Sequence, residues 1–191
     1  MNASEFSDRE ARVVAELSSQ ISRQYGSESQ DPWQGSPFQW IQRRPSRQKG
    51  AIAENLVEQW ALGKGFTVEH SNSSDADRII NGHRVEIKFS SLWTDTGSFR
   101  FQQIRDQRYD YCFCLGLSPW DCQAWFIPKS ELMGAWRDGL KPQHGGAAGH
   151  DTRWLAFPAD NPPPWLRPFG GRLEAVESLI RQAGQGPYRG H

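Results

Sequence analysis

The dipeptide Asn81-Gly82 constrains the fold more than any other feature, because it lies between two strand-like runs. Both central residues of a type I′ turn need positive φ, which Asn and Gly tolerate best. A two-residue turn pairs Ile80 with His83 and, by continuing the count, Asp77 with Glu86. The sequence therefore predicts a β-hairpin whose register is set by its turn.

Side chains alternate between the two faces of such a hairpin. Glu86 and Lys88 share one face with Asp77, and Asp75 falls opposite Lys88 by the same count. This face is predicted to hold two or three carboxylates and an ammonium. The opposite face is expected to join the core, and it carries Arg78, Ile80, Val85, Ile87 and Phe89.

Carboxylates and an ammonium in this arrangement suit phosphodiester hydrolysis. Mg²⁺ prefers hard oxygen ligands and retains several waters. Asp77 and Glu86 are predicted to bind one such ion, with the Ile87 carbonyl as a third ligand, and Lys88 to orient the attacking water. The alternative is that these residues are surface charges on a solvated strand face, which is common in antiparallel sheets.

The order of Asp77, a hairpin and Glu86-Ile87-Lys88 resembles the PD-(D/E)xK, or restriction-endonuclease-like, nuclease superfamily over roughly residues 49–130. The proline that names the motif is absent, and Ala76 stands in its place. The resemblance implies a mixed α/β sheet flanked by helices. It also implies that Glu54, on the preceding helix, is a candidate second-metal or water ligand, the alternative being a solvent-facing glutamate like Glu58 one turn on. Gln103, or the alternative Gln102, would orient the water or the phosphate.

Strands and helices alternate irregularly, which favours a mixed α/β sheet over a doubly wound parallel one. One domain is predicted over residues 1–191, with an N-terminal helical extension (1–48), the nuclease core (49–130) and a C-terminal extension (131–191). The predicted helices are a first one capped by Ser7 and Asp8 and ending near Gln24, then Pro37–Arg44, Gly50–Lys64, Pro128–Trp136 and Gly171–Ala183. The predicted strands are Phe66–Glu69, the two arms of the hairpin, Tyr109–Leu117, Gln123–Ile127 and Thr152–Phe157.

The formal net charge is zero, so any nucleic-acid binding must come from local basic patches. Two such patches could contact phosphates: Arg43, Arg44, Arg47 and Lys49, and Arg100, Arg105 and Arg108. The alternative is that these side chains form a solubilising surface. Trp40 and Trp93 could stack on bases, but core packing is the prediction. The Gly-rich loop Gln143–Asp151 is expected to be a surface loop.

Cys112, Cys114 and Cys122 lie in one apolar region, and an odd number of clustered cysteines favours reduced core thiols. No run is apolar and long enough for a bilayer, and Met1–Arg9 is polar, so a cytoplasmic protein without membrane contact is expected.

These observations predict a Mg²⁺-dependent DNA endonuclease of restriction or defence type, with Mn²⁺ able to substitute. Duplex DNA is the expected partner. A homodimer is expected if both strands are cut together, because each chain carries one site. The alternatives are a repair, junction-resolving or RNA-directed nuclease on the same fold, and a catalytically silent nucleic-acid-binding module.

Overall fold

The computed structural model describes residues 9–25, 31–137, 140–142 and 152–185. The chain divides into two compact units, Met1–Gln34 and Gly35–His191, and the predicted domain bounds stay a prediction. The first unit contains helix α1 (Arg9–Tyr25). The apolar side chains of α1 are exposed: Val13, Val14, Leu17 and Ile21. The predicted cap at Ser7 and Asp8 and the Gly-rich loop lie outside the described residues.

The second unit is built around a six-stranded sheet in the order β1-β2-β3-β5-β6-β9. β3 and β5 are parallel, and the other neighbouring pairs are antiparallel. The predicted mixed α/β class is therefore confirmed. The strands are β1 (Val68–His70), β2 (Arg78–Ile80), β3 (His83–Ser91), β5 (Tyr111–Leu117), β6 (Cys122–Pro128) and β9 (Gly170–Gly171).

A second sheet, in the order β4-β8-β7, packs against the first through an aromatic core. Phe99 and Phe101 of this sheet contact Trp125 of the six-stranded sheet edge to face. Gly116 is a glycine because a Cβ there would lie 2.8 Å from the Phe99 ring. The sequence predicted β8 but not β4. The strands are β4 (Ser98–Ile104), β7 (Lys141–Pro142) and β8 (Arg153–Pro158).

Helix α3 (Ser46–Gly63) covers the other face of the six-stranded sheet. It buries Ala53, Val57 and Ala61, which recur at helical spacing. The helix starts four residues before the predicted Gly50, because the Pro45 carbonyl already accepts the Lys49 N–H.

The end of α3 is a Schellman motif. Gly65 has a φ of 79°. The Phe66 N–H donates to the Ala61 carbonyl, and the Gly65 N–H donates to Leu62. The remaining helices are α2 (Gln39–Gln42), α4 (Lys129–Arg137), a 3₁₀ turn (Arg167–Phe169) and α5 (Leu173–Ala183). None of the helices in the described ranges is long and apolar enough to cross a membrane.

Strand β5 is covered on both faces, which explains its nearly unbroken apolar sequence. Phe113 faces the helices, where its ring lies 5.7 Å from the Trp60 ring. Cys112 and Cys114 face the second sheet, and both are free and buried. They are core thiols, as the sequence predicted. Cys122 is free and only partly buried.

Candidate active site

The β2–β3 hairpin has the register that the sequence predicted. Ile80 pairs with His83, and Arg78 pairs with Val85. Asn81 and Gly82 have φ values of 49° and 81°, as a type I′ turn requires. The register places Glu86 and Lys88 on one face of β3, and Val85 with Ile87 on the other.

Asp77 lies just beyond the paired part of β2 and is attached to β3 by its own carboxylate. Its Oδ2 accepts the Ile87 N–H at 2.7 Å, while its N–H donates to the Val85 carbonyl at 3.0 Å. The carboxylate therefore takes the position of a backbone acceptor on the neighbouring strand. This contact fixes Asp77 against the backbone between Glu86 and Lys88.

Glu86 and Lys88 form a buried ion pair. Lys88 Nζ lies 2.6 Å from Glu86 Oε1, and the two side chains are only 16% and 10% exposed. On the neighbouring parallel strand β5, Cys112 lies opposite Glu86 and Cys114 lies opposite Lys88. The alternative of surface charges on a solvated strand is thus wrong, because the second sheet covers this face.

Four ionisable side chains at the site shift one another's pKa values: Glu54, Asp77, Glu86 and Lys88. Burial, together with the charges of Asp77 and Glu54, raises the pKa of Glu86 despite the adjacent Lys88 ammonium. Burial and Asp77 also raise the pKa of Glu54, against the opposing effect of Arg78 and Lys88. Burial acts to lower the pKa of Lys88, but the Glu86 carboxylate outweighs it and the pKa is raised. The cluster therefore favours an ammonium and disfavours a full set of carboxylates.

Arg78 links the hairpin to α3. Its guanidinium donates to Glu58 Oε2 at 2.7 Å, to Glu54 Oε2 at 3.3 Å and to the Asp77 carbonyl at 2.8 Å. Arg78 is 8% exposed, so this charge is neutralised inside the protein. Glu54 thus lies close to the hairpin, as the resemblance implied, but its carboxylate is paired with Arg78.

Two other predicted site residues lie away from the hairpin strands. β2 begins at Arg78, so Asp75 lies outside the strand and is not paired with Lys88. The Asp75 Oδ2 instead accepts a hydrogen bond from the Ser73 hydroxyl. Gln103 is exposed at an irregularity in β4, with a φ of 55°. Such a bulge redirects a side chain. The role of Gln103, or of its exposed neighbour Gln102, stays a prediction.

The predicted basic patches are accessible. Arg43 and Arg44 are exposed between α2 and α3, and Arg47 is exposed in the first turn of α3. Lys49 is half-buried within hydrogen-bonding distance of Gln42. Arg105 is exposed after β4, and Arg100 is half-buried. Their contact with nucleic acid stays a prediction.

The prediction that Trp40 and Trp93 pack in the core is wrong. Trp40 is 49% exposed and Trp93 is 38% exposed, because the α2 region and the turn after β3 lie at the surface. An arginine stacks on each indole. The Arg100 guanidinium lies 3.7 Å from the Trp93 ring centroid, and the Arg44 guanidinium lies 5.8 Å from the Trp40 ring centroid.

Sequence reasoning missed the role of Arg78, which it assigned to the core face. A signal was present, since an arginine among Ile80, Val85 and Ile87 needs an acidic partner. Glu54 and Glu58 are four residues apart, so they present two carboxylates on one side of a helix. That spacing could have identified the partner.

The donor chemistry of the hairpin fits Mg²⁺. One oxygen of Glu86 pairs with Lys88 and one oxygen of Asp77 accepts the Ile87 N–H, and each carboxylate has a second oxygen. Across the described ranges, no three His, Cys, Asp or Glu side chains are placed to bind one ion jointly. Two carboxylates with a backbone carbonyl match the small protein ligand set that Mg²⁺ uses.

No protein-family model matches this chain, and no curated protein matches it. Among solved structures, it is similar to a bacterial homing endonuclease, I-Ssp6803I, with 15% sequence identity and a TM-score of 0.49. The match covers 74% of this chain and 97% of that chain. Similarity at this level supports no functional conclusion, which must come from the side chains described above.

Proposed function

We propose that this chain is a metal-dependent DNA endonuclease of restriction or defence type that hydrolyses phosphodiester bonds at the β2–β3 hairpin. The main support is the buried Glu86–Lys88 pair beside the backbone-anchored Asp77. A protein rarely buries two charges without paired partners or a use for them. Asp77, beside this pair, accepts the Ile87 N–H with one carboxylate oxygen, and its second oxygen is proposed to bind a metal ion.

In this proposal, Asp77, Glu86 and the Ile87 carbonyl hold Mg²⁺, or Mn²⁺ in its place. The ion would polarise the phosphate and lower the pKa of water. Lys88 remains an ammonium, because Glu86 raises its pKa. Lys88 therefore donates hydrogen bonds to the attacking water and offsets charge that builds on the phosphate. Glu54 is proposed to bind a second ion or a water when Arg78 releases it.

The test is cleavage of mixed-sequence duplex DNA, with and without Mg²⁺ or Mn²⁺, by wild type, Lys88→Ala and Lys64→Ala. Lys64 is the matched control, because it forms a surface ion pair with Glu177 at 2.8 Å. We expect Lys88→Ala to lower the cleavage rate at least about 100-fold while DNA binding persists. Lys64→Ala should cut like wild type.

Normal cutting by Lys88→Ala would refute this assignment of the site. Cleavage of RNA or branched DNA, but not of plain duplex, would support the alternative nuclease functions. Binding without cleavage of any substrate would support the silent module. A supercoiled plasmid that passes directly to the linear form would support the proposed homodimer, since one chain carries one site.

A further inference from the structure

We infer that three exposed tryptophans, together with two arginines that stack on two of them, form a DNA-contacting surface beside the hairpin site, which we call the tryptophan surface: Trp93, Arg100 and Trp120, extended by Trp40 and Arg44. The inference rests on the proposed function and adds a partner contact to it. It is carried by the exposure of the three tryptophans, by the stacking of the arginines on them and by the position of the surface relative to Lys88.

Two exposed tryptophans lie at one end of the six-stranded sheet. The parallel pairing of β3 and β5 ends with Ser91 opposite Leu117. Trp93 follows on one strand, and Trp120 occupies the turn after the other. Trp120 is 71% exposed and Trp93 is 38% exposed. Large aromatic side chains are normally buried, so two at neighbouring chain turns indicate a contact surface.

The third tryptophan is connected to this end of the sheet by a hydrogen bond. Ser36 Oγ lies 2.5 Å from the Pro119 carbonyl, which attaches the segment before α2 to the turn that carries Trp120. Trp40 is four residues further along and is 49% exposed.

Stacking prepares the arginines for an anionic partner. The Arg100 guanidinium lies 3.7 Å from the Trp93 ring centroid, so its plane is held while its N–H groups remain available. Within the described ranges, no carboxylate is within ion-pair distance of Arg44 or Arg100. A guanidinium that is oriented by an indole and not neutralised by an acid suits a phosphate.

The turns also contain Asp95 and Asp121, so the surface is not broadly basic. Asp121 accepts the Cys122 N–H at 2.8 Å. With acidic and basic side chains both present, we expect contact through indole rings and individual guanidinium groups, and not through a large positively charged area.

Because the hairpin is proposed to cleave DNA, the distance of this surface from Lys88 favours DNA as its partner. Ser91 is three residues beyond Lys88 along β3, and Trp93 is five residues beyond it. At a strand rise of about 3.3 Å per residue, these positions are roughly 10 and 16 Å from Lys88. With about 3.4 Å between successive phosphates, the surface would meet the duplex roughly three to five base pairs from the cleaved bond.

The experiment measures binding of labelled mixed-sequence DNA, duplex and single-stranded, to the full chain by fluorescence anisotropy in metal-free buffer. The variants are Trp120→Ala, Trp93→Ala, Trp93→Phe and Arg100→Gln. The matched control is Leu62→Ala, because Leu62 is a 45% exposed hydrophobic residue near the end of α3, beside the Lys64–Glu177 pair. Circular dichroism checks that each variant is folded.

We expect Trp120→Ala and Trp93→Ala each to weaken binding about tenfold, and Trp93→Phe to restore most of the loss. Arg100→Gln should reduce the slope of log K against log salt by about one, whereas the tryptophan variants should leave the slope unchanged. Leu62→Ala should bind like wild type.

The inference is overturned if Trp120→Ala and Trp93→Ala bind as tightly as Leu62→Ala, or if wild type binds neither form of DNA. The proposed function fails separately. A chain that binds through this surface but cuts nothing keeps the inference and loses the nuclease. If the wild-type chain cuts DNA while both tryptophan variants bind it normally, the nuclease function stands and the inference about the tryptophan surface is lost.

Discussion

At the scale of residues, the Glu86–Lys88 pair is the unusual feature of this protein. The two charges lie in the face of β3 that the second sheet covers, beside the free thiols Cys112 and Cys114. Transfer of such charges from water is costly, and their mutual contact offsets part of the cost. Removal of one partner should therefore do more harm than removal of both.

We predict that Lys88→Met destabilises the fold by about 2 kcal/mol at neutral pH, because it leaves the Glu86 carboxylate buried and unpaired. The double variant Glu86→Gln/Lys88→Met should recover most of the loss. Urea denaturation of both variants and wild type provides the measurement. A double variant less stable than the single one would contradict the claim that the unpaired Glu86 carboxylate causes the loss.

The loss in Lys88→Met should depend on pH. Burial raises the pKa of Glu86 above its ordinary value of 4.5 even with Lys88 present, and without the ammonium it rises further. A carboxyl with a raised folded-state pKa favours the fold fully below its unfolded pKa. That contribution disappears as pH increases through the folded-state pKa. Lys88→Met should therefore approach wild-type stability near pH 4 and fall behind it towards neutral pH.

At the scale of elements, the hairpin and the β5–β6 pair could be predicted because their signals are local. Asn81-Gly82 fixes one turn, and Ser118–Asp121 closes the other through the hydrogen bond from Ser118 to Asp121. β4 was missed although Phe99 and Phe101 alternate with polar residues. Its partner β8 begins about fifty residues away, with Phe99 opposite Phe157, and no local pattern indicates that pairing.

The side chains at the edges of these elements were harder to predict than the elements. Hydrophobicity alone places Trp40 and Trp93 in the core, yet both are exposed. Burial of a tryptophan depends on what the turn beside it faces, which is a tertiary property. The partner of Arg78 likewise depends on α3 packing against the hairpin.

We predict that Gly82→Ala destabilises the fold by about 1 kcal/mol, since its φ of 81° strains any residue with a Cβ. Gly50→Ala is the control. Gly50 lies within α3, and an added Cβ there meets nothing within 4 Å, so alanine should stabilise the helix slightly. Thermal denaturation of both variants gives the comparison. Equal shifts in the same direction would contradict the assigned turn.

At the scale of the whole molecule, the second unit is a sheet enclosed between helices and a smaller sheet. α3 and α5 contact one side, while Phe99, Phe101 and Phe157 fill the space on the other. The site lies on the side of the smaller sheet. Close packing between the two sheets should therefore control both stability and the geometry around Lys88.

We predict that Gly116→Ala destabilises the fold by about 1–3 kcal/mol, because its Cβ would lie 2.8 Å from the ring of the fully buried Phe99. Phe99→Leu in the same chain should relieve part of the clash. Gly134→Ala in α4 is the control, since an added Cβ there meets nothing within 4 Å. Chemical denaturation tests all three. An unchanged midpoint for Gly116→Ala would show that the sheets are not tightly packed there.

The hairpin also determines where this chain can change its length. Asp77 and Glu86 are nine residues apart, and the two-residue turn between their strands fixes their relation. One residue inserted into β3 just before Ile87 would exchange the two faces of the strand beyond it, sending Lys88 towards the helices and Ile87 towards the site. Insertions beyond Trp93, in the turn before β4, would leave that relation intact. Variation among descendants of this sequence should therefore accumulate in the outer turns, while the short segment from Asp77 to Lys88 keeps a constant length.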